Sequence, residues 1–310
     1  MTSIRRVILV VATAAFLPLA GTAQLKDTGS IFKEPIAMDT VVIKSGFDIN
    51  AFIRRIRTDS SFYKAFRSMH LVPYTAKNRV YVKGDRGDTI ASMTSTTKQH
   101  ITNKCRANSI LERKVTGDYY KKNGENNYYT GALFDYLFFT TVPVCNEDDI
   151  VAGNLSRIGA GKMEVQKYRL KQLIFNPGAK ISGIPFMADH ENIFDQSESY
   201  KYNFSVSINS YNGETCYIFA ITPRKGFERK VLYNNLVTWF RKSDYVILAR
   251  NYSLSYHTLL YDFDVNMRVK TIPVSSKNCP SEVTYDGNWH IFTKKRERVS
   301  FTTMIEYDNH

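Results

Sequence analysis

YKYNFSVSINSYNGETCYIFAI, from Tyr200 to Ile221, is the stretch that decides the class of fold. Tyr200, Tyr202, Phe204, Val206 and Ile208 alternate with Lys201, Asn203, Ser205, Ser207 and Asn209. Successive side chains of a strand point to opposite faces, so a period of two makes one face apolar and the other wet. Asn212-Gly213 is the strongest short hairpin signal a sequence offers. The return places Tyr217, Phe219 and Ile221 on one side and Ile218 and Ala220 on the other.

Downstream, Tyr245 to Thr258 is followed by a second clean alternation. Here Tyr261, Phe263, Val265, Met267 and Val269 oppose Asp262, Asp264, Asn266, Arg268 and Lys270. Pro280 is expected to open a further strand through Val283 and Tyr285, and Asp286-Gly287 to turn the chain. Trp289 to Phe292 then leads into Val299, Phe301, Thr303, Ile305 and Tyr307. Upstream, Phe47 to Met69 reads as helical. Ile49, Phe52, Ile53 and Ile56 recur at spacings of three and four, and Asp59-Ser60-Ser61 suits a second cap or a break. Arg79–Lys83, Thr89–Thr102 and Ser109–Thr116 read as strands. Asn123-Gly124 suits a hairpin turn or a long loop, and Ala132–Phe139 is apolar but too short to separate strand from helix. Met163–Phe175 is a helix candidate, stopped by Asn176-Pro177-Gly178. The expected class is mostly β: a long-stranded antiparallel sheet, half-open and barrel-like, whose apolar face is covered by helices.

The N-terminus carries a different signal. Arg5 and Arg6 precede an apolar run from Val7 to Ala20, and Gly21-Thr22-Ala23 supplies small residues. That is the order of a secretory leader, too short to span a bilayer as a helix. The expected organisation is a leader at 1–23, a lead-in at 24–45 and a single β-rich domain at 46–310, with a lobe boundary possible near 146–162. The expected location is secreted, periplasmic or at the cell surface, with no transmembrane span in the mature chain. Lys+Arg number 42 against Asp+Glu 29, a net charge of +13, which favours anionic envelope surfaces; nucleic acid is not an expected partner in that compartment. Cys105, Cys145, Cys216 and Cys279 fit no CxxC metal pattern and are disulfide candidates after export. Pairing Cys105–Cys145 and Cys216–Cys279 would keep each bridge within one half of the chain.

No stretch carries a complete catalytic motif. Gly159-Ala160-Gly161-Lys162 lacks the glycine and the hydroxyl residue of a phosphate loop, since Ser156 and Met163 stand there. Asp189-His190-Glu191 has no second histidine at helical spacing. Asp262 and Asp264 lie about 7 Å apart on one strand face, a separation that suits an inverting glycosidase pair. Arg268 and Lys270 continue that face, as on an ordinary solvated surface. His70, His100, His190, His257, His290 and His310 are scattered, and none has a partner by spacing. The basic run Lys294-Lys295-Arg296-Glu297-Arg298 precedes the last strand. No cofactor or metal is expected, and a binding role is favoured over catalysis.

The run of hairpins from Tyr200 to Tyr307, with helix-bearing sequence upstream, resembles in architecture the outer-membrane lipoprotein carrier (LolA-like) superfamily. The phrases KQLIFNPG (171–178), TWFRKSDY (238–245), NYSLSYHT (251–258) and YDGNWHIFTKKRER (285–298) are similar to an uncharacterised group of secreted Gram-negative proteins. The carrier resemblance implies an unclosed barrel holding acyl chains. The expected function is therefore binding of a lipid, acyl chain or other apolar or amphipathic ligand. Phe204, Val206, Ile208, Tyr217, Phe219, Phe263, Val265 and Met267 would form the wall of the site. The alternatives are an envelope interaction module with a filled core and, third, a hydrolase of glycans or lipids. The leader makes the first prediction: the exported protein should begin at Gln24, free or cyclised to pyroglutamate. Intact mass decides it, and a product retaining residues 1–23 would point to a membrane anchor.

Overall fold

The computed structural model describes residues 47–145, 172, 174–178, 192–258, 261–291 and 295–308. All of these belong to one compact unit, Ala37–His310. The leader, the proposed boundary at 146–162, the Gly159–Lys162 loop, Asp189-His190-Glu191 and Met163 to Lys171 lie outside the described residues.

Helices α1 (Ile49–Arg57) and α2 (Ser61–Met69) come first. Four strands follow: β1 (Tyr74–Lys83), β2 (Thr89–Thr102), β3 (Cys105–Thr116) and β4 (Val144–Cys145). Between β3 and β4, helix α3 (Tyr129–Phe134) runs on into a π-helical turn, Asp135–Phe139. The second half is a meander of β5 (Tyr202–Tyr211), β6 (Glu214–Pro223), β7 (Tyr233–Arg241), β8 (Ile247–His257), β9 (Tyr261–Val274), β10 (Lys277–Ile291) and β11 (Glu297–Tyr307). Together they form one antiparallel sheet in the order β4-β3-β2-β1-β11-β10-β9-β8-β7-β6-β5, not closed into a barrel. Every neighbour but one is joined by a sequential connection. The exception is β1 with β11, which pair from Tyr74↔Tyr307 to Lys83↔Arg298.

Register carries one continuous inner face across the sheet. Phe204 opposes Ile221, Val206 opposes Phe219 and Ile208 opposes Tyr217. The same face continues through Leu236, Tyr252, Met267, Tyr285, Phe301 and Val80 to Met93. Most of its apolar side chains are buried in one core with Phe52, Phe62, Phe66 and Met69 of the helices. A smaller cluster, including Cys216, Ile218, Val237 and Trp239, is buried on the other face of β6 and β7.

The Asn212-Gly213 hairpin forms with both residues at positive φ, 50° and 82°. Asp286-Gly287 does not turn the chain: both residues lie inside β10, opposite Asn266 and Val265 on one side and Ser300 and Val299 on the other. The glycine serves a close approach instead. A Cβ at Gly287 would fall 2.0 Å from the Tyr285 hydroxyl, which accepts a hydrogen bond from Trp289. Nor does Pro280 open a strand. It sits within β10 at a register shift, where a bulge dispenses with its missing N–H. The real turn is two residues long, at Ser275 (φ 54°) and Ser276. Ala132–Phe139 resolves as helix, and Phe47–Met69 as two helices broken at Asp59, whose carboxylate accepts from Ser61 N at 2.6 Å.

Cys105 and Cys145 form a disulfide that ties β4 to β3 and closes a separation of 40 residues. Cys216 and Cys279 are free and buried, so their expected pairing fails. Three strands separate β6 from β10, which places the two cysteines about 19 Å apart at ~4.8 Å per strand, far beyond disulfide reach. Burial raises both thiols, Cys279 to about 11, which leaves them unreactive. Alkylation of the unfolded, unreduced protein should therefore modify two cysteines. After reduction it should modify four, with a loss of about 4 kcal/mol of stability from opening the loop. Four thiols without reductant would refute the bridge.

Candidate functional site

The helices that cover the inner face are built to lie on an aromatic surface. Asp48 caps α1 by accepting from Ala51 N at 2.9 Å. The apolar stripe then turns Phe52 and Ile56 inward, while Arg54, Arg55 and Arg57 stay outside. The Phe52 ring lies 5.6–6.0 Å from those of Phe219, Phe240 and Tyr245, and 5.7 Å from that of Tyr217. Helix α2 packs across β10 and buries Phe62, Phe66 and Met69. Phe66 meets Phe175 at 5.0 Å, and the segment 174–178 is held to the sheet by Tyr252, which donates to Ile174 O, and by Tyr233, which accepts from Gly178 N at 2.8 Å.

A second cover lies over β11 and β10. Phe134 stacks on Phe301 with centroids 3.9 Å apart, and also meets Tyr285 at 5.1 Å. Its anchor comes from the far end of the chain. The Glu297 carboxylate accepts from Tyr129 N (2.9 Å), Thr130 N (3.1 Å) and Thr130 Oγ1 (3.0 Å), and so satisfies the first amides of α3. Arg106, Asn108 and His70 hold the other end of this cover through the carbonyls of Tyr136, Thr140 and Leu137.

The eight residues expected to line a binding wall all fall on the inner face. Val206, Phe219, Phe263, Val265 and Met267 are buried in the main core, Phe204 and Tyr217 pack partly buried against it, and Ile208 is half-buried near the end of β5. Phe263 stacks on Trp289 at 4.5 Å.

Sequence reading missed Arg250, in the middle of this face. Its Nε donates to Thr238 Oγ1 at 2.9 Å and its guanidinium lies 4.4 Å over the Phe62 ring, beneath α2. It is 9% exposed, and no carboxylate among the described residues comes within ion-pair distance. Burial pushes its pKa down to about 10, against the more distant charge of Asp59. A charge taken out of water with no carboxylate in contact is costly, and among the described residues Arg250 is in that position. No signal marked it, because an arginine among the mixed residues of β8 reads as surface. Near Asp59 a cavity of about 390 Å³ opens where the α1–α2 junction meets the β7–β8 hairpin. Arg55, Ile56, Asp59, Phe240, Tyr245 and Ile247 are among its lining residues, and Arg55 lies 4.0 Å over the Tyr245 ring.

Of the basic run at 294–298, Lys294 lies outside the described residues and Lys295 is exposed, while the three residues that follow are engaged. Arg296 binds Asp262 and Asn288, Arg298 binds Asp85 at 2.7 Å, and Glu297 turns inward. His257, scattered by spacing, meets Asp262 and Asp264 once β8 and β9 pair. Burial works against ionisation of Asp262, but hydrogen bonds from Arg296 and His257 outweigh it and hold the carboxyl below its ordinary range.

No family model and no curated protein sequence matches the chain. Among solved structures, it is similar to a DUF1329 family protein from Desulfovibrio piger, at 11% identity and a TM-score of 0.23, over 80% of this chain and 94% of that one. It is also similar to a domain named for outer membrane lipoprotein sorting, from Vibrio parahaemolyticus, at 11% identity and a TM-score of 0.26, over 83% of this chain and 90% of that one. Likeness at these scores carries no argument about function. Among the described residues, no helix is long and apolar enough to cross a membrane.

The Glu297 anchor is testable by truncation. Glu297→Ala leaves two amides and a hydroxyl without their acceptor and should cost about 2–3 kcal/mol in urea unfolding. A loss below about 0.5 kcal/mol would show that α3 is held in place without the Glu297 hydrogen bonds.

Proposed function

We propose that this chain is a non-catalytic binding protein of the cell envelope that takes an amphipathic ligand, an acyl chain with an anionic head, between its inner face and helices α1 and α2. Arg250 carries this reading: a buried guanidinium in an apolar surface, with a hydroxyl and a ring as neighbours and, among the described residues, no counter-charge in contact. A carboxylate or phosphate there would supply charge-assisted hydrogen bonds in a site dry enough to strengthen them. Ligand sites are mostly apolar with a few polar groups that orient the ligand, which describes aromatic walls around one arginine. The cavity near Asp59 marks the seam at which the helical cover would part. The net positive charge suits the approach to an anionic membrane surface.

A second reading is favoured by the close stacking of Phe263 on Trp289 and of Phe134 on Phe301, which suits a filled core in an interaction module. The two readings part at Arg250→Met and Phe263→Ala. If a ligand is held, the protein should bind an environment-sensitive fatty-acid probe and carry lipid in native mass spectra. Arg250→Met should weaken the acid probe about ten- to a hundredfold, leave its methyl ester unaffected, and leave stability unchanged or higher. If the core is simply filled, Phe263→Ala should cost about 3–5 kcal/mol and no probe should bind. Absence of both probe binding and co-purified lipid sinks the carrier reading.

A further inference from the structure

A second candidate site lies on the opposite, outer face, where β8, β9 and β10 run side by side. Register sets His257 of β8 directly across from Asp262 of β9, and Asp262 directly across from His290 of β10. Asp264, two residues along, completes the group. His257 Nδ1 lies 2.7 Å from Asp262 Oδ1, and its Nε2 lies 3.5 Å from Asp264 Oδ1. One ligand atom from each of these three residues lies within 4.8 Å of the others.

A neutral imidazole has one N–H. With that hydrogen on Nδ1, facing Asp262, Nε2 is an acceptor 3.5 Å from a carboxylate oxygen of Asp264. Two acceptors then lie 3.5 Å apart, and a cation between them removes the conflict. The separation itself is informative. Metal bonds of about 2.1 Å in tetrahedral geometry place neighbouring ligand atoms about 3.4 Å apart. Asp262 stands where metal-binding histidines commonly have a carboxylate, on the far ring nitrogen, where it sets the tautomer and the ring plane. It is positioned in turn: Arg296 donates to its other oxygen and, at 2.9 Å, to Asn288.

We infer that this cluster is a site for a divalent transition-metal ion of the zinc class, with His257 Nε2 and Asp264 as ligands and Asp262 as the orienting carboxylate. An imidazole and carboxylate donor set suits such ions better than a set of oxygens alone would. His257 is well exposed at 61% of its side chain, and it borders a cavity of about 380 Å³ that Glu228, Ser255 and Tyr256 also line. Asp264 is exposed too, at 49% of its side chain, so water or a donor atom of a ligand has access to complete the coordination shell.

The test uses the untagged full-length protein, stripped of metal and titrated with zinc chloride by calorimetry. One equivalent should bind, and His257→Gln and Asp264→Asn should each weaken it by about tenfold or more. Asp262→Asn should weaken it about 10–100-fold without abolishing it, as loss of an orienting partner does. Glu306→Gln, an exposed carboxylate of β11, should leave affinity unchanged, and thermal melts should show all four variants folded. Absence of stoichiometric binding to the wild-type protein overturns the inference and leaves His257 as a surface partner of Asp262 and Asp264. Binding that is unchanged in the ligand variants overturns it equally, because the zinc would then sit elsewhere.

Discussion

The pairing of β1 with β11 is the constraint on which the rest of this structure depends. Without it the chain would be two meanders, each with an apolar face too narrow to bury well. With it, the four N-terminal strands extend the seven C-terminal ones into a single inner face. Asn78 on β1 joins the halves at side-chain level. Its amide donates to Ser95 and Thr97 of β2, and its carbonyl accepts from Thr303 of β11 at 2.7 Å. All four side chains are buried, so the network is worth having only when every strand is in register. Loop closure over more than two hundred residues must be met before that seam forms, while each hairpin closes locally.

Once the face is continuous, it has to be covered. Among the described residues, two covers meet the need by different means. The α1–α2 pair is held mainly by ring contacts around Phe52, Phe62 and Phe66, which are individually weak and tolerant of small displacements. The α3 cover is pinned by charge-assisted hydrogen bonds from Glu297 and by polar contacts from β3. A cover that can part belongs with the first kind of attachment, and it is α1–α2 that lies over Arg250. Under the proposed function, stability and binding would pull against each other at this arginine, because the group that would recognise an anion costs free energy while none is bound.

The two faces divide the chemistry between them. Inside, aromatic and aliphatic side chains surround the buried guanidinium of Arg250. Outside, at the ends of β8 to β10, a histidine and two aspartates converge with an arginine behind them. Strand alternation makes this possible: neighbours in sequence serve different faces, as Glu297 does between Arg296 and Arg298.

How much of this was legible follows from how locally each feature is determined. The strands with one wet face, such as β5 and β9, and the Asn212-Gly213 hairpin were written in the sequence, because side-chain alternation and positive φ are properties of a few neighbouring residues. Strand β7 was not, since burial of both faces along Leu236–Phe240 removes the alternation that marks a strand. Asp286-Gly287 misled because a glycine needed under the Tyr285 hydroxyl looks the same as one needed for a turn. The Cys105–Cys145 bridge lay within one half of the chain and was open to inference, whereas the separation of Cys216 from Cys279 depends on the strand order. Arg250, Glu297 and the His257 cluster became visible only in three dimensions. The sequence by itself determined an antiparallel β protein with an apolar face and amphipathic helices to cover it. Tertiary structure alone decided which charges were buried and which met, because those outcomes depend on register between strands, and register is a property of pairs.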